Sequence, residues 1–160
     1  MRAPAPRYVG ASKLADALAA AGNDGLRLSL LSRHNPAAKA ALNGYIETAR
    51  AGTSTGARAK EVVAVHAYAE GMDGRPLVDK NGAAYFRLVV GNRNDAAWGT
   101  MFPNTRRPGR KDPDFRIVLR LGRSRTIGGR LWMCDSGHGG AKFLSGVLGA
   151  ATTLRCPVGP

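Results

Sequence analysis

The sequence predicts an α+β fold, with N-terminal helices followed by a small antiparallel β-barrel or sandwich and with an OB-fold among the candidates. Two observations predict it. Near residue 60 the chain changes from helix-like apolar spacing to short runs in which apolar and polar residues alternate. These runs recur at short intervals, each bounded by Gly, Pro, Asn or Asp. We therefore expect a helical region with a linker at 1–60, a β-rich basic domain at 61–150 and a C-terminal tail at 151–160.

Two helices are expected before residue 60. In "ASKLADALAAAG", Leu14 and Leu18 lie four residues apart behind a candidate N-cap, Ser12. In "HNPAAKAALNGYIETARAG", Asn35 is a candidate N-cap and an apolar stripe continues until Gly52. The "GTSTGARAK" stretch that follows has the composition of a linker or mobile loop.

The remaining elements are expected to be strands. "EVVAVHAYAE" and "AYFRLVVGN" should pair, and "WGTMF", "DFRIVLRLG", "TIGGRLWMC" and "AKFLSGVLG" follow. Five or six short strands in succession indicate an antiparallel sheet that closes on itself. In "DFRIVLRLG", successive side chains point to opposite faces, which places Ile117 and Leu119 on a core face and Arg116 and Arg120 on the other.

Charge is the strongest indicator of a partner. The chain has 24 Lys+Arg against 11 Asp+Glu, a formal net charge of +13. Residues 93–130 hold ten basic and three acidic residues, an excess of +7. Nucleic acid is the commonest polyanion that a basic domain meets, and unpaired bases can stack on nearby aromatic rings. The predicted nucleic-acid-binding residues are Arg106, Arg107, Arg110, Lys111, Arg116, Arg120, Arg123, Arg125, Trp98 and Phe102.

Residues 132–140, "WMCDSGHGG", raise the alternative of a hydrolase. Ser136 or Cys134 would need a base held by a third group, whereas His138 stands between glycines. The composition from Asp135 onward favours a hairpin loop between two strands.

Signatures of other enzymes are missing from the sequence, including the phosphate loop, the dinucleotide fingerprint and the zinc-protease motif. A magnesium-dependent nuclease built on Asp112 and Asp114 stays the enzymatic alternative. We expect a binding module with no catalytic residues, no metal and no cofactor.

The two cysteines, Cys134 and Cys156, have no metal-ligand spacing, which leaves free thiols in a reducing cytosol or a single bridge. No apolar run approaches the length of a membrane span. We therefore expect a cytoplasmic protein without a membrane partner, and the sequence leaves its oligomeric state open.

Three features recur in order in the second half of the chain: a G-x-x-F-x-N pattern that begins at Gly99, then Pro113-Asp114-Phe115, then Trp132. On these features, residues 98–148 resemble small β-rich proteins carried by phages and plasmids. The resemblance implies a mobile-element protein that acts on nucleic acid, and it supplies no catalytic residues. The alternative is a phage structural or host-defence-blocking protein whose basic face binds an acidic protein surface, which would also be sensitive to salt.

Overall fold

The computed structural model describes residues 5–32, 40–51, 59–104, 111–123, 125–135 and 142–149. Within these ranges the chain forms one α-helix and nine strands. In chain order they are β1 (Arg7–Val9), α1 (Lys13–Ala21), β2 (Leu26–Ser32), β3 (Leu42–Arg50), β4 (Glu61–Tyr68), β5 (Phe86–Asn92), β6 (Asp95–Pro103), β7 (Phe115–Leu121), β8 (Arg125–Asp135) and β9 (Lys142–Leu148).

The strands from β2 to β9 form a closed antiparallel barrel. Each pairs with the next along the chain, and β9 pairs back with β2. The short β1 lies parallel to the beginning of β4. The prediction of a small antiparallel barrel is therefore confirmed. Its eight strands are connected in up-and-down order, whereas an OB-fold has five strands in a Greek-key order.

The prediction of a second N-terminal helix is wrong, because residues 42–50 form β3. Both edges of β3 are hydrogen-bonded, to β2 and to β4, and Ile46 is buried in the core. A Cβ atom on Gly44 would collide with the backbone oxygen of Ser29, so glycine permits the close contact with β2. Long-range pairing here overrides a local spacing that fits a helix equally well. The predicted N-cap Asn35 lies outside the described residues, as does 52–58 of the predicted linker.

The first predicted helix is confirmed as α1, which lies across one end of the barrel. Leu14 and Leu18 are buried in the same cluster as the barrel interior. Asp95, at the start of β6, holds the beginning of α1, because its carboxylate accepts hydrogen bonds from the Ser12 amide at 3.1 Å and the Ser12 hydroxyl at 2.5 Å. No helix in the described ranges is both long and apolar enough to cross a membrane.

The barrel interior is packed with aliphatic side chains. Its largest fully buried members include Leu28, Leu30, Leu88, Met101, Leu119 and Leu131. The expected alternation in β7 is confirmed, since Ile117 and Leu119 are buried whereas Arg116 and Arg120 are exposed. Aliphatic side chains fill the interior, and the charged side chains of strands such as β7 lie on the outer surface.

The strands predicted on either side of the "CDSGHGG" stretch pair antiparallel as β8 and β9. Of the predicted hairpin loop, Asp135 belongs to β8, and residues 136–140, which include Ser136 and His138, lie outside the described residues. Cys134 is buried and disulfide-bonded, so the bridge, rather than the free thiol, holds for this cysteine. Cys156 lies outside the described residues.

Candidate nucleic-acid interface

The outer face of β6, β7 and β8 forms a continuous surface, here called the basic wall. Side chains that alternate with core residues compose it: Trp98, Thr100, Phe102, Arg116, Val118, Arg120, Thr126, Gly128 and Arg130. They stand in three cross-strand rows: Trp98–Arg120–Thr126, Thr100–Val118–Gly128 and Phe102–Arg116–Arg130. Where both neighbours in a row carry a Cβ atom, these atoms lie about 5 Å apart, so their side chains are close enough to contact one another.

Trp98 is the most exposed ring on this wall, with 56% of its surface accessible. Its cross-strand partner is Arg120, which is also exposed. Burying Trp98 in the core would need a different strand phase, because Ala97 and Gly99 on either side of it point inward. The ring is therefore presented to solvent beside a cation.

A cleft of about 570 Å³ adjoins Trp98 at the end of the barrel covered by α1. Its polar lining comes from Ser12, Asp95, Arg120 and Arg125. Asp95 is engaged with Ser12, and the two arginines make no salt bridge with a described carboxylate. The cleft thus continues the cationic character of the basic wall.

A second depression, of about 360 Å³, lies over β7 and β8 at the other end of the wall. Phe102, Val118 and Val147 contribute apolar lining, and Arg116 and Arg130 contribute cations. Gly128 lies between them without a side chain. We call this depression the Gly128 groove.

The basic wall contains arginines and no acidic side chain. Arg87 on the neighbouring β5 adds a further cation, with its guanidinium 5.5 Å from the centre of the Tyr68 ring. Arg123 and Arg125 are exposed at the turn between β7 and β8. Positive charge therefore covers the wall and one of its ends, where it favours a polyanion.

The base of the loop between β6 and β7 is closed by Asn104 and Asp114, here called the latch. The Asn104 amide donates to the Asp114 carbonyl at 2.9 Å, and the Asp114 carboxylate accepts the amide of Met133 at 2.7 Å. The Asn104 side chain donates to the Pro113 carbonyl and accepts from Arg116 Nε, each at 3.0 Å. The latch therefore connects the loop to β7 and β8.

Lys111, inside this loop, is exposed, and its carbonyl accepts a hydrogen bond from the Trp132 indole at 3.3 Å. Arg106, Arg107 and Arg110 lie outside the described residues. The structure therefore describes one of the four loop cations that the sequence predicts.

The predicted site residues fall into three groups. Trp98, Phe102, Arg116 and Arg120 are brought together on the basic wall. The others that the structure describes, Arg123, Arg125 and Lys111, lie at the two ends of that wall. Three loop arginines are not described.

The sequence reasoning missed Arg130 and Gly128, although the alternation in "TIGGRLWM" places both on the face opposite to Leu131. It also missed the latch, because the partners of Asp114 are distant in sequence. The Asp114 carboxylate accepts a hydrogen bond from the Met133 amide. No cluster of three metal-ligating side chains occurs among the described residues.

The fold and the wall define the class of protein: an eight-stranded up-and-down barrel with a packed interior and a cationic, aromatic outer face. No protein-family model, no curated protein and no solved structure matches the chain. The function is therefore argued from the geometry of the wall.

Proposed function

We propose that this protein is a non-enzymatic binder of single-stranded nucleic acid and that the strand lies on the basic wall. The observation that carries the proposal is the pairing of an exposed Trp98 with Arg120 on a sheet surface that lacks carboxylates. A base can stack on the ring while the adjoining phosphate meets the guanidinium.

The spacing of the rings favours an unpaired strand. Trp98 and Phe102 are four residues apart on the same face of β6, about 13 Å along the strand. Each ring can take one base, and each stacked base is worth about 1–3 kcal/mol. In a duplex the base faces are covered by their neighbours, which leaves only the phosphate contacts.

A mobile-element origin belongs to the same proposal and rests on the resemblance over residues 98–148. The expected cytoplasmic location does not belong to it, because Cys134 is disulfide-bonded and disulfides are rare in a reducing cytosol.

The experiment is fluorescence anisotropy with labelled single-stranded DNA, single-stranded RNA and duplex DNA of equal length. Neutralising one phosphate of a single strand contributes about 0.7 to the slope of log K against log salt, so the four arginines of the wall and β5 give a slope of roughly −2 to −3. Between about 50 and 200 mM salt, affinity should fall roughly 15- to 50-fold. Quenching of tryptophan fluorescence should accompany binding of either single strand.

The alternative partner is an acidic protein surface, which the same arginines could meet. Binding of polyglutamate with the same charge as the oligonucleotides distinguishes a nucleic-acid partner from an acidic protein partner, because polyglutamate carries negative charge without bases. Preferential binding of a single strand, with quenching, supports the proposal. Equal binding of polyglutamate, single strand and duplex, or no binding of oligonucleotides, would overturn it.

A further inference from the structure

Gly128 occupies the middle of β8, a position where glycine is costly. A glycine inside a strand loses more backbone entropy than other residues and offers no side chain for packing, a penalty of about 0.5–1 kcal/mol relative to alanine. Such a glycine has a structural explanation when its φ is positive or when a Cβ atom would collide with a neighbour.

Other strand glycines on this side of the barrel have that explanation. A Cβ atom on Gly99 would lie 2.6 Å from the Val118 carbonyl oxygen. On Gly129 it would lie 3.2 Å from the Val147 oxygen, and on Gly146 it would collide with the Arg130 carbonyl. These glycines allow close packing of neighbouring strands.

Gly128 differs from them. Among the described residues, the only heavy atom within 4 Å of a Cβ built there is the Ile117 oxygen, at 3.9 Å. Its φ is not positive, and the residue is exposed on the basic wall opposite Val118. Neither turn geometry nor packing within the barrel requires glycine here.

The missing side chain is what leaves the Gly128 groove open. Phe102, Val118 and Val147 give the groove apolar walls, and Arg116 and Arg130 give it cations. Its volume of about 360 Å³ lies near the lower end of the range for small-ligand pockets, about 300–1,000 Å³. A flat apolar group flanked by negative charge fits this chemistry.

We propose that Gly128 is the floor of a subsite in which one nucleobase of the bound strand lies against the backbone of β8. The edge of the base contacts Phe102 and Val118, and the phosphates on either side of it meet Arg116 and Arg130. A strand glycine without a packing role commonly marks such a close approach of a ligand to the backbone. This inference rests on the proposed function and adds a specific position to it.

The test is Gly128→Val in the full chain, with Ser29→Val as the matched control on the opposite side of the barrel. Valine favours strands, so neither variant should lower the melting temperature. We expect Gly128→Val to weaken single-strand binding about tenfold or more, because the added side chain excludes the base from the groove, a loss comparable in size to that of one base contact. The salt slope should stay that of the wild type, because the arginines remain. Gly128→Ala should give a smaller loss, and Ser29→Val none.

The outcomes separate the two proposals. If the wild type binds no oligonucleotide, the proposed function fails. If the wild type binds a single strand and Gly128→Val binds equally well at an unchanged melting temperature, the function stands and the subsite is wrong. A loss of affinity that Ser29→Val shares would also overturn the subsite, because it would reflect a general effect of added bulk anywhere on the barrel surface.

Discussion

The two sides of the barrel share one architecture and differ in what they show to solvent. On the outer face of β2, β3 and β4, here called the opposite wall, Glu47 forms salt bridges with Arg27 at 4.0 Å and with Lys60 at 3.4 Å. His66 is hydrogen-bonded to Asn43 on the same face. The basic wall has no such carboxylate, and its Trp98 is exposed. The opposite wall therefore carries a carboxylate between its cations, whereas the outward side chains of the basic wall are cationic, aromatic, apolar or uncharged polar.

The two walls differ in their outward-pointing residues, which are every second residue along each strand. The inward residues of both walls are the same kind of aliphatic side chain and belong to one core cluster. The outward residues can change without altering that cluster, because strand side chains alternate between faces. The outward residues of a few strands can thus set the surface charge without changing the core, and three experiments compare the two walls.

The largest effect is expected from reversing charge on the basic wall. Arg116→Glu combined with Arg120→Glu should weaken single-strand binding on the order of 100-fold, because like charges placed together cost several kcal/mol. Arg27→Glu on the opposite wall should leave affinity almost unchanged. Anisotropy titrations measure both, with the melting temperature as a check on folding. Equal losses from the two walls would mean that the strand responds to net charge and not to a site.

An intermediate effect is expected at Trp98. Trp98→Ala should weaken binding of either single strand by about 1–3 kcal/mol, roughly 5- to 150-fold, and should leave duplex binding nearly unchanged. Trp98→Phe should recover most of the affinity, since a ring is retained. Tyr45→Ala, on the opposite wall, is the control. If Trp98→Ala weakened duplex binding as much as single-strand binding, stacking would not be its role.

The smallest effect concerns the latch at the end of the basic wall. Asp114→Ala removes the carboxylate that accepts the Met133 amide, and a hydrogen bond to a charged group is worth about 1.5–3 kcal/mol. The melting temperature should fall by roughly 3–10 °C for a domain of this size. Asp112→Ala, two residues away in the same loop, should change it far less. Calorimetry measures the melting temperatures of the two variants. Equal melting temperatures would show that the Asp114 carboxylate does not stabilise this end of the barrel.

Much of the barrel could be predicted from alternation. The strands after residue 60 have clear period-2 patterns, and α1 has apolar residues at helical spacing. Between residues 42 and 49 the apolar residues fit a helical stripe as well as a strand, and only the pairing of β3 with β2 and β4 decides between them. The local indication of a strand was Gly44, because glycine is unfavourable in a helix and is needed here for the close contact with the Ser29 backbone.

The candidate site was predictable in part for the same reason. Alternation within β7 places Arg116 and Arg120 on one face without knowledge of the fold. The meeting of Trp98 with Arg120, by contrast, depends on the register between β6 and β7. The latch depends on contacts between the loop and β8. The register between two strands depends on the packing of the whole barrel. It therefore cannot be predicted from the composition or from the spacing of residues within one strand.

The latch also bears on how this protein could diversify. Asn104 and Asp114 are hydrogen-bonded to each other and Asp114 is bonded to β8, so the ends of β6 and β7 are held together at the base of the loop. Doubling the length of a flexible loop costs only about 0.6 kcal/mol in closure entropy. We therefore expect that the segment from 105 to 110 can be replaced by segments of other length or sequence, whereas Lys111 and Pro113 should stay because their carbonyls accept hydrogen bonds from Trp132 and Asn104. Relatives or engineered versions could gain or lose cations in this segment and keep both the barrel and the exposed Trp98 of the basic wall.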